Sequence, residues 1–586
     1  SIGVSANWET LDRTTEAEIS SASDKKNVYA KDLTVDALAK HGSSSLSFAA
    51  AAGGGKVGIS SGDSIVRHNY TNTTKASLKN VNAVFDGQAE IKAEHLGNTH
   101  TQNVSASLSA GMVAVSAGAG VSVMDDASTV KAEVSNSDLK AKTTTSGKDI
   151  SVLAKNENNW KNTLVTASLA VGIGAGLAAN VGINNTTGET AALVTDSNLE
   201  AYNVGVNATD KLGVKSTGGV GAGGVGGVGG AVALNNISSS LSAQVEGGSI
   251  KASNNIDVKA EEERSFDSQV TGASAGGIGV GVNVAVTSIN KGITDAQLSS
   301  AKDENEENMG VNATTQNEIK KHLASVNAAK GSLGNSGAKF AGLSSTDSDL
   351  SNARNIQVSL TQDTKTQGVH TSINSSTTTG NASLTAGNDI NVTAKETSDI
   401  FAKNVGVTAA GAASVNVTDA IIHTNYDTDV TVNGASITGK NVNINATQTQ
   451  AQEQDGKQGA DVKVTAVTVG ALGGVGVGYA GIVNKGATDI NIAGSTIKGT
   501  DNVTIKATDE SKHKSDILSV GVAALNVTTT FASVENKNNV GVTLSGTNNI
   551  SAGKDISIEA KRANTLEAHT QGVGVGGVNV AVNHAT

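Results

Sequence analysis

The residues best placed to do chemistry are paired carboxylates. Asp125 adjoins Asp126, and Asp347 lies one residue from Asp349. Two such groups serve as general acid and general base on a glycosidic bond when they converge from either side of it. Acidic pairs on turns are more commonly solvated corners, and that is the expectation for both. The ten histidines are scattered, and no carboxylate joins the nearest pair, His95 and His100, at metal-ligand spacing. They read as solvated surface residues. Gly219, Gly221 and Gly224 fit G-x-G-x-x-G, but a glycine tract generates overlapping matches and no βαβ unit surrounds this one. Phosphate-loop, zincin, nucleophile-elbow, EF-hand and Gly-Asp calcium-repeat motifs are not found in the sequence. The threonine triplets at 143–145, 377–379 and 528–530 lack the T-x-T spacing of an ice-binding face. The sequence therefore yields no catalytic, cofactor-binding or metal-binding residues, and the chain reads as a non-enzyme.

Any site must be carried by a repeat. A motif close to D/N-I/V-x-V/I-x-A appears as DLTVDA (Asp32–Ala37), QAEIKA (Gln88–Ala93), DISVLA (Asp149–Ala154), NVGVNA (Asn203–Ala208) and NIDVKA (Asn255–Ala260). It returns as DINVTA (Asp389–Ala394), NVNINA (Asn441–Ala446), NVTIKA (Asn502–Ala507) and DISIEA (Asp555–Ala560). The closing alanines are 56, 61, 54, 52, 134, 52, 61 and 53 residues apart. Apolar and polar residues alternate within each copy, which is the period of a half-buried strand, and Val and Ile suit a pleated surface. A second short strand precedes most copies, as in SIKA (Ser249–Ala252), with polar turn residues between the two. A Gly-rich apolar block follows, clearest in GGIGVGVNVAVTSIN (Gly276–Asn290). Glycine weakens an isolated strand but serves where another backbone approaches closely. Each 55-residue unit is expected to hold two or three solenoid coils, giving twenty to twenty-five coils and a rod of roughly 100–120 Å at about 4.8 Å per coil.

Composition agrees with a thin core. The 586 residues include 68 Gly, no Pro and no Cys, and aromatics make up 2%. Disulfide scaffolds, thiol chemistry and collagen are excluded. A net charge of −11 argues against a nucleic-acid partner. Ala167–Ile183 is the stretch nearest to a membrane span, yet it is Gly-rich and interrupted by Asn180. Trp160, Phe266 and Phe401 fall six or seven residues after the closing alanine of their repeats and are expected in the core, the alternative being a carbohydrate-stacking ladder.

The 134-residue gap marks an insertion. The division expected is solenoid over 1–298, an insertion over 299–379, and solenoid again over 380–586. Within the insertion, Thr315 and Glu318 form a capping box, and Ile319, Leu323 and Val326 form a stripe, predicting a helix near 316–330. Glu318, Lys320, Lys321 and His322 on that helix are the candidate partner-binding residues, and the alternative is an excursion that covers the solenoid's side.

The motifs S-x-I-x-A, D-I-x-V-x-A and G-x-G-V-G-x-x-V-A-V-x-x-I-N together resemble the large secreted filamentous adhesins of Gram-negative bacteria. The similarity is to the leukotoxin-like family, with an architecture like filamentous haemagglutinin, and it covers everything but the insertion. The resemblance implies an all-β, right-handed parallel β-helix that forms the shaft of a cell-surface or secreted filament. It implies attachment to host-cell or bacterial surface receptors or glycans, export by outer-membrane machinery, and self-association into fibres. A leukotoxin-like toxin region is the alternative, and a polysaccharide-degrading β-helix is a further one. Ser1–Glu9 reads as the tail of a Gly block and Val580–Thr586 falls inside another, so the chain reads as a piece of a longer polypeptide.

Overall fold

Val and Ile alternate with polar residues in every motif copy, and the copies lie directly on one another. Val35 pairs with Ile91, Ile91 with Val152, Val152 with Val206 and Val206 with Val258. The column continues through Val392, Ile444 and Ile505 to Ile558. The computed structural model describes residues 1–289, 367–450 and 460–586, and there the chain is an all-β parallel β-helix. Each ladder partner is one repeat away, so one repeat is one coil. The expectation of two or three coils per repeat is therefore wrong. Nine motif layers at about 4.8 Å rise roughly 40–45 Å, less than half the expected rod.

The coil over Thr129–Ser135, Asp138–Ala141 and Ile150–Thr186 shows how this arises. Val130, Ala132 and Val134 on the first side, Leu139 and Ala141 on the second, and Ile150, Val152 and Ala154 on the third all point into one apolar core. The corner after the first side needs a left-handed residue. Asn136 supplies it at φ 44°, with Asn80 at 55°, Asp196 at 48°, Gly247 at 65° and Gly434 at 59° in equivalent coils. Asn, Asp and Gly are the residue types that tolerate this region. The Asx that opens the motif serves the next corner. Asn203 Nδ2 donates to Asp149 Oδ1 at 2.9 Å, Asn441 Nδ2 to Asp389 Oδ1 at 2.8 Å, and Asn502 Nδ2 to Asn441 Oδ1 at 2.9 Å.

Past Ala154 the third side does not turn the corner. It runs outward over residues 155–171, about 50 Å at strand rise, and returns to Thr186 as a second arm. The arms face each other within one coil. Ser116 Oγ donates to Ser107 Oγ at 2.8 Å, Ser64 Oγ to Ser47 Oγ at 2.7 Å, and Asn404 Nδ2 to the Asp419 carbonyl at 2.7 Å. Stacked coils thus form a two-layered fin on a three-sided body. Glycine permits the close spacing: a Cβ on Gly58 would meet the Ala110 carbonyl at 2.5 Å, and one on Gly279 would meet Thr408 Cγ2 at 2.8 Å. The Gly-rich blocks are therefore the out-and-back arms of a coil, which is why counting them as separate coils fails.

The strand Gly368–Asn374 pairs with Ser240–Glu246 on one side and with residues 428–433 on the other. These residues, within the span 299–379 read as insertion, belong to the ladder. The expected helix near 316–330 lies outside the described residues.

Trp160 and Phe266 are buried, as expected, but Phe401 is not. Phe266 pairs with Ile400, while Phe401 pairs with Asp267 on the outer face, under Lys463 Nζ at 5.5 Å from the ring centroid. Phe401 follows its alanine by seven residues and the other two by six, and a one-residue step turns a strand side chain to the opposite face. Phe266→Ala is expected to cost about 3–5 kcal/mol in chemical denaturation. Phe401→Ala is expected to cost about 1 kcal/mol or less, as an outward residue away from the core; equal losses would contradict this register.

Candidate interaction surface

The strand period separates the residues that looked paired. Asp125 points outward, where Arg67 Nη2 approaches its Oδ2 at 3.2 Å and Asn185 Nδ2 donates to its Oδ1 at 2.9 Å. Asp126 points inward and is buried, accepting from the Ser128 amide at 2.9 Å and from Asn158 Nδ2 at 3.2 Å. The two carboxyls lie on opposite faces of one sheet and do not converge on a substrate. Neither is a solvated corner, contrary to expectation, because both lie in a strand. Asp347 and Asp349 lie outside the described residues, as do Glu318, Lys320, Lys321 and His322. Gly219 and Gly221 lie in a fin strand, with Gly224 just beyond it.

The histidines correct the sequence reading further. His68, His95, His423 and His513 are buried rather than solvated. His95 donates from Nδ1 to Asn156 Oδ1 at 2.9 Å, and Asn156 Nδ2 donates on to Asp210 Oδ1 at 3.1 Å. His41 Nδ1 stands 3.2 Å from His95 Nε2. These contacts belong to a column that sequence reasoning missed. His95, Asn156, Asp210, Glu262, Glu396, Gln448 and Asp509 are ladder mates, each two residues past its closing alanine and each turned inward. Arg264, the next inward residue along the strand and a ladder mate of Leu212 and Ser398, pairs with Glu262. The signal was available, because an even step from a buried alanine keeps the same face. The column lies where body and fin meet, bonded coil to coil from His95 to Asp210, with Gln448 and Asp509 accepting from Asn538 Nδ2 and Asn564 Nδ2. Among the described residues no three His, Asp or Glu are grouped so as to hold a metal ion.

Two kinds of outer surface remain. The outer face of the motif strand carries an amide ladder: Asn391 Nδ2 donates to Asp257 Oδ1 at 2.8 Å and Asn443 Nδ2 to Asn391 Oδ1 at 3.0 Å. Asn441, Asn443, Asn502, Thr504, Asp555 and Ser557 line a shallow polar groove there of about 430 Å³. The distal fin is the opposite. Its interior is mostly Ser, Asn, Thr, Ala and Gly, with Leu164, Val220, Val270, Val464 and Ile517 buried among them, and its exterior exposes Leu108, Val165, Leu169, Val407 and Val469 on the outgoing arm and Val115, Leu177, Val228 and Leu525 on the return arm. The stretch 167–183, read as nearest to a span, is the fin tip and most of the return arm, in β-strand, and among the described residues no helix is long and apolar enough to cross a membrane.

The buried column makes stability depend on pH. Burial pushes the Asp210 carboxyl up to about 7, with the Arg264 charge opposing and the Glu262 and Asp126 charges adding. Its folded form holds a proton that the unfolded chain has released, so its contribution is complete below the ordinary carboxylate value and lost as pH rises through about 7. His513 behaves in reverse. Burial holds it down to about 4, so its contribution is complete above 6.5 and lost as pH falls toward 4. Asp210→Asn is therefore expected to gain on the parent protein by an amount on the order of 1–3 kcal/mol between pH 5 and pH 8, measured by denaturation at both values. A constant difference would contradict a buried titrating carboxyl. No protein-family model, no curated protein and no solved structure matches this chain.

Proposed function

We propose that this chain is the structural shaft of a bacterial surface or secreted filamentous adhesin. Its role is attachment to host-cell or bacterial surface receptors or glycans, without catalysis. The observation that carries this reading is the outward amide ladder. Asp257, Asn391 and Asn443 occupy the same place in successive coils, each one layer from the next. A polar partner with repeating donors and acceptors meets an equivalent group at about 4.8 Å intervals. Contacts too weak to hold singly become strong when many form at once. The parallel ladder supplies the second requirement, because layers contact only their neighbours and the body lengthens without a larger core.

The toxin alternative draws on a different feature, the exposed apolar faces of the fin, and predicts leakage from lipid vesicles or lysis of host cells. The polysaccharide-degrading alternative requires converging carboxyls, and Asp125 with Asp126 does not provide them.

The purified chain is expected to bind glycans or whole cells saturably and to release no shortened product. Asn391→Ala with Asn443→Ala is expected to lower apparent affinity by about tenfold or more, with an unchanged β-rich circular dichroism spectrum. Binding unaffected by the double change would remove the ladder as the attachment face, and glycan turnover would defeat the non-enzymatic reading.

A further inference from the structure

The distal fin is apolar where a soluble protein is normally polar. The runs 101–124, 162–188, 216–245, 268–289, 404–418 and 464–484 contain no Asp, Glu, Lys or Arg. They stack coil on coil, so the charge-free zone is continuous in space. On the outgoing arm its outer face has relief. Ala50, Ala106, Ala167, Gly221 and Ala273 form the floor of a groove over five successive coils, each directly on the next, and the same column continues as a raised row of Val407, Val467, Val520 and Val573. Leu108 and Leu169 rise along one edge, 45% and 49% exposed, with Phe48 and Val165 along the other at 59% and 44%. The groove spans about 820 Å³.

We propose that this face docks a second copy of the chain, outgoing arm to outgoing arm about a two-fold axis. Area supports that occupant. Nine layers at about 4.8 Å by about 23 Å of distal arm give roughly 1,000 Å², against the ~800 Å² per partner of a standard stable interface. The relief supports it as well. A floor of Ala and Gly between raised rows is filled by a raised row of the same kind, and a two-fold axis sets the Leu108–Leu169 edge of each copy into the groove of the other. Sheets that face each other in this way lie about 10 Å apart or closer where the floor is alanine. A patch of this size exceeds what monomers leave in water. The inference rests on the fin and is independent of the adhesive reading, which rests on the amide ladder of the body.

Sedimentation equilibrium of the whole chain across the micromolar range tests it. Dimers are expected, and Leu169→Glu is expected to weaken them by about a hundredfold, since it buries an unpaired charge. Ala167→Phe, which fills the groove without adding charge, is expected to weaken them as well, so a folding defect in one variant leaves the other to decide. Leu177→Glu on the return arm is expected to leave the dimer intact. A monomer throughout the range would overturn the proposal. So would equal disruption by Leu177→Glu, or a chain that stays monomeric and partitions onto phosphatidylcholine vesicles. Failure of the parent chain to bind cells or glycans, with dimers intact, would instead count against the adhesive reading alone.

Discussion

The structure depends on an in-register parallel ladder whose offset is one repeat. Each residue is hydrogen-bonded to its own equivalents above and below, so any property written once per repeat becomes a column. Apolar Val and Ile become a continuous core, the opening Asx becomes an amide ladder at a corner, and a polar residue two places past the closing alanine becomes a buried polar column, hydrogen-bonded coil to coil from His95 to Asp210. A column is tolerant when its members are apolar. It is demanding when they are charged, since layers about 4.8 Å apart leave like charges little separation. Asp210 on Glu262 is such a stack, and together with burial it explains why the Asp210 carboxyl holds its proton.

The same offset explains the composition. The body needs a core one coil wide, which Val, Ile, Leu and Ala fill. The fin needs two arms to lie close together, and small residues allow that. Near the tip the fin interior is small and partly polar, and apolar residues such as Leu169, Leu177, Val228 and Ile278 fall on its outside, while Ile183, Leu234 and Val286 nearer the body are buried. Near the body the arms still enclose apolar side chains such as Trp160, Phe266, Val270 and Val464, and only toward the tip does apolar surface lie outermost, there almost without charge. The polar column lies at the junction where one rule gives way to the other.

Much of the fold was legible from particular residues. The motif's alternation marked the strand, the Val and Ile marked its buried face, and the spacing of the closing alanines reappears unchanged as the ladder offset. The coil count was not legible, because a Gly-rich arm that leaves and returns within one layer has the same local pattern as strands in successive layers. The ladder offset of one whole repeat and contacts across the fin, such as Ser107 with Ser116, distinguish the two. The site was less legible than the fold. Asp125 with Asp126 and His95 with His100 were judged by their distance in sequence, whereas an odd step along a strand sends two side chains to opposite faces. Phe401 misled for the same reason. The polar column and the charge-free fin could have been found by applying that parity throughout.

The central claim is that one repeat makes one coil. A disulfide tests it directly, since the chain has no cysteine of its own. Leu153 and Asn207 are ladder partners on the outer face of adjacent motif strands. Changed together to Cys, they are expected to form a bond under mild oxidation, because neighbouring strands lie about 5 Å apart and a disulfide spans roughly 4.4–6.8 Å between Cα atoms. Two or three coils per repeat would place them about 10–15 Å apart. Thiols that stay free in the folded double variant would contradict the account.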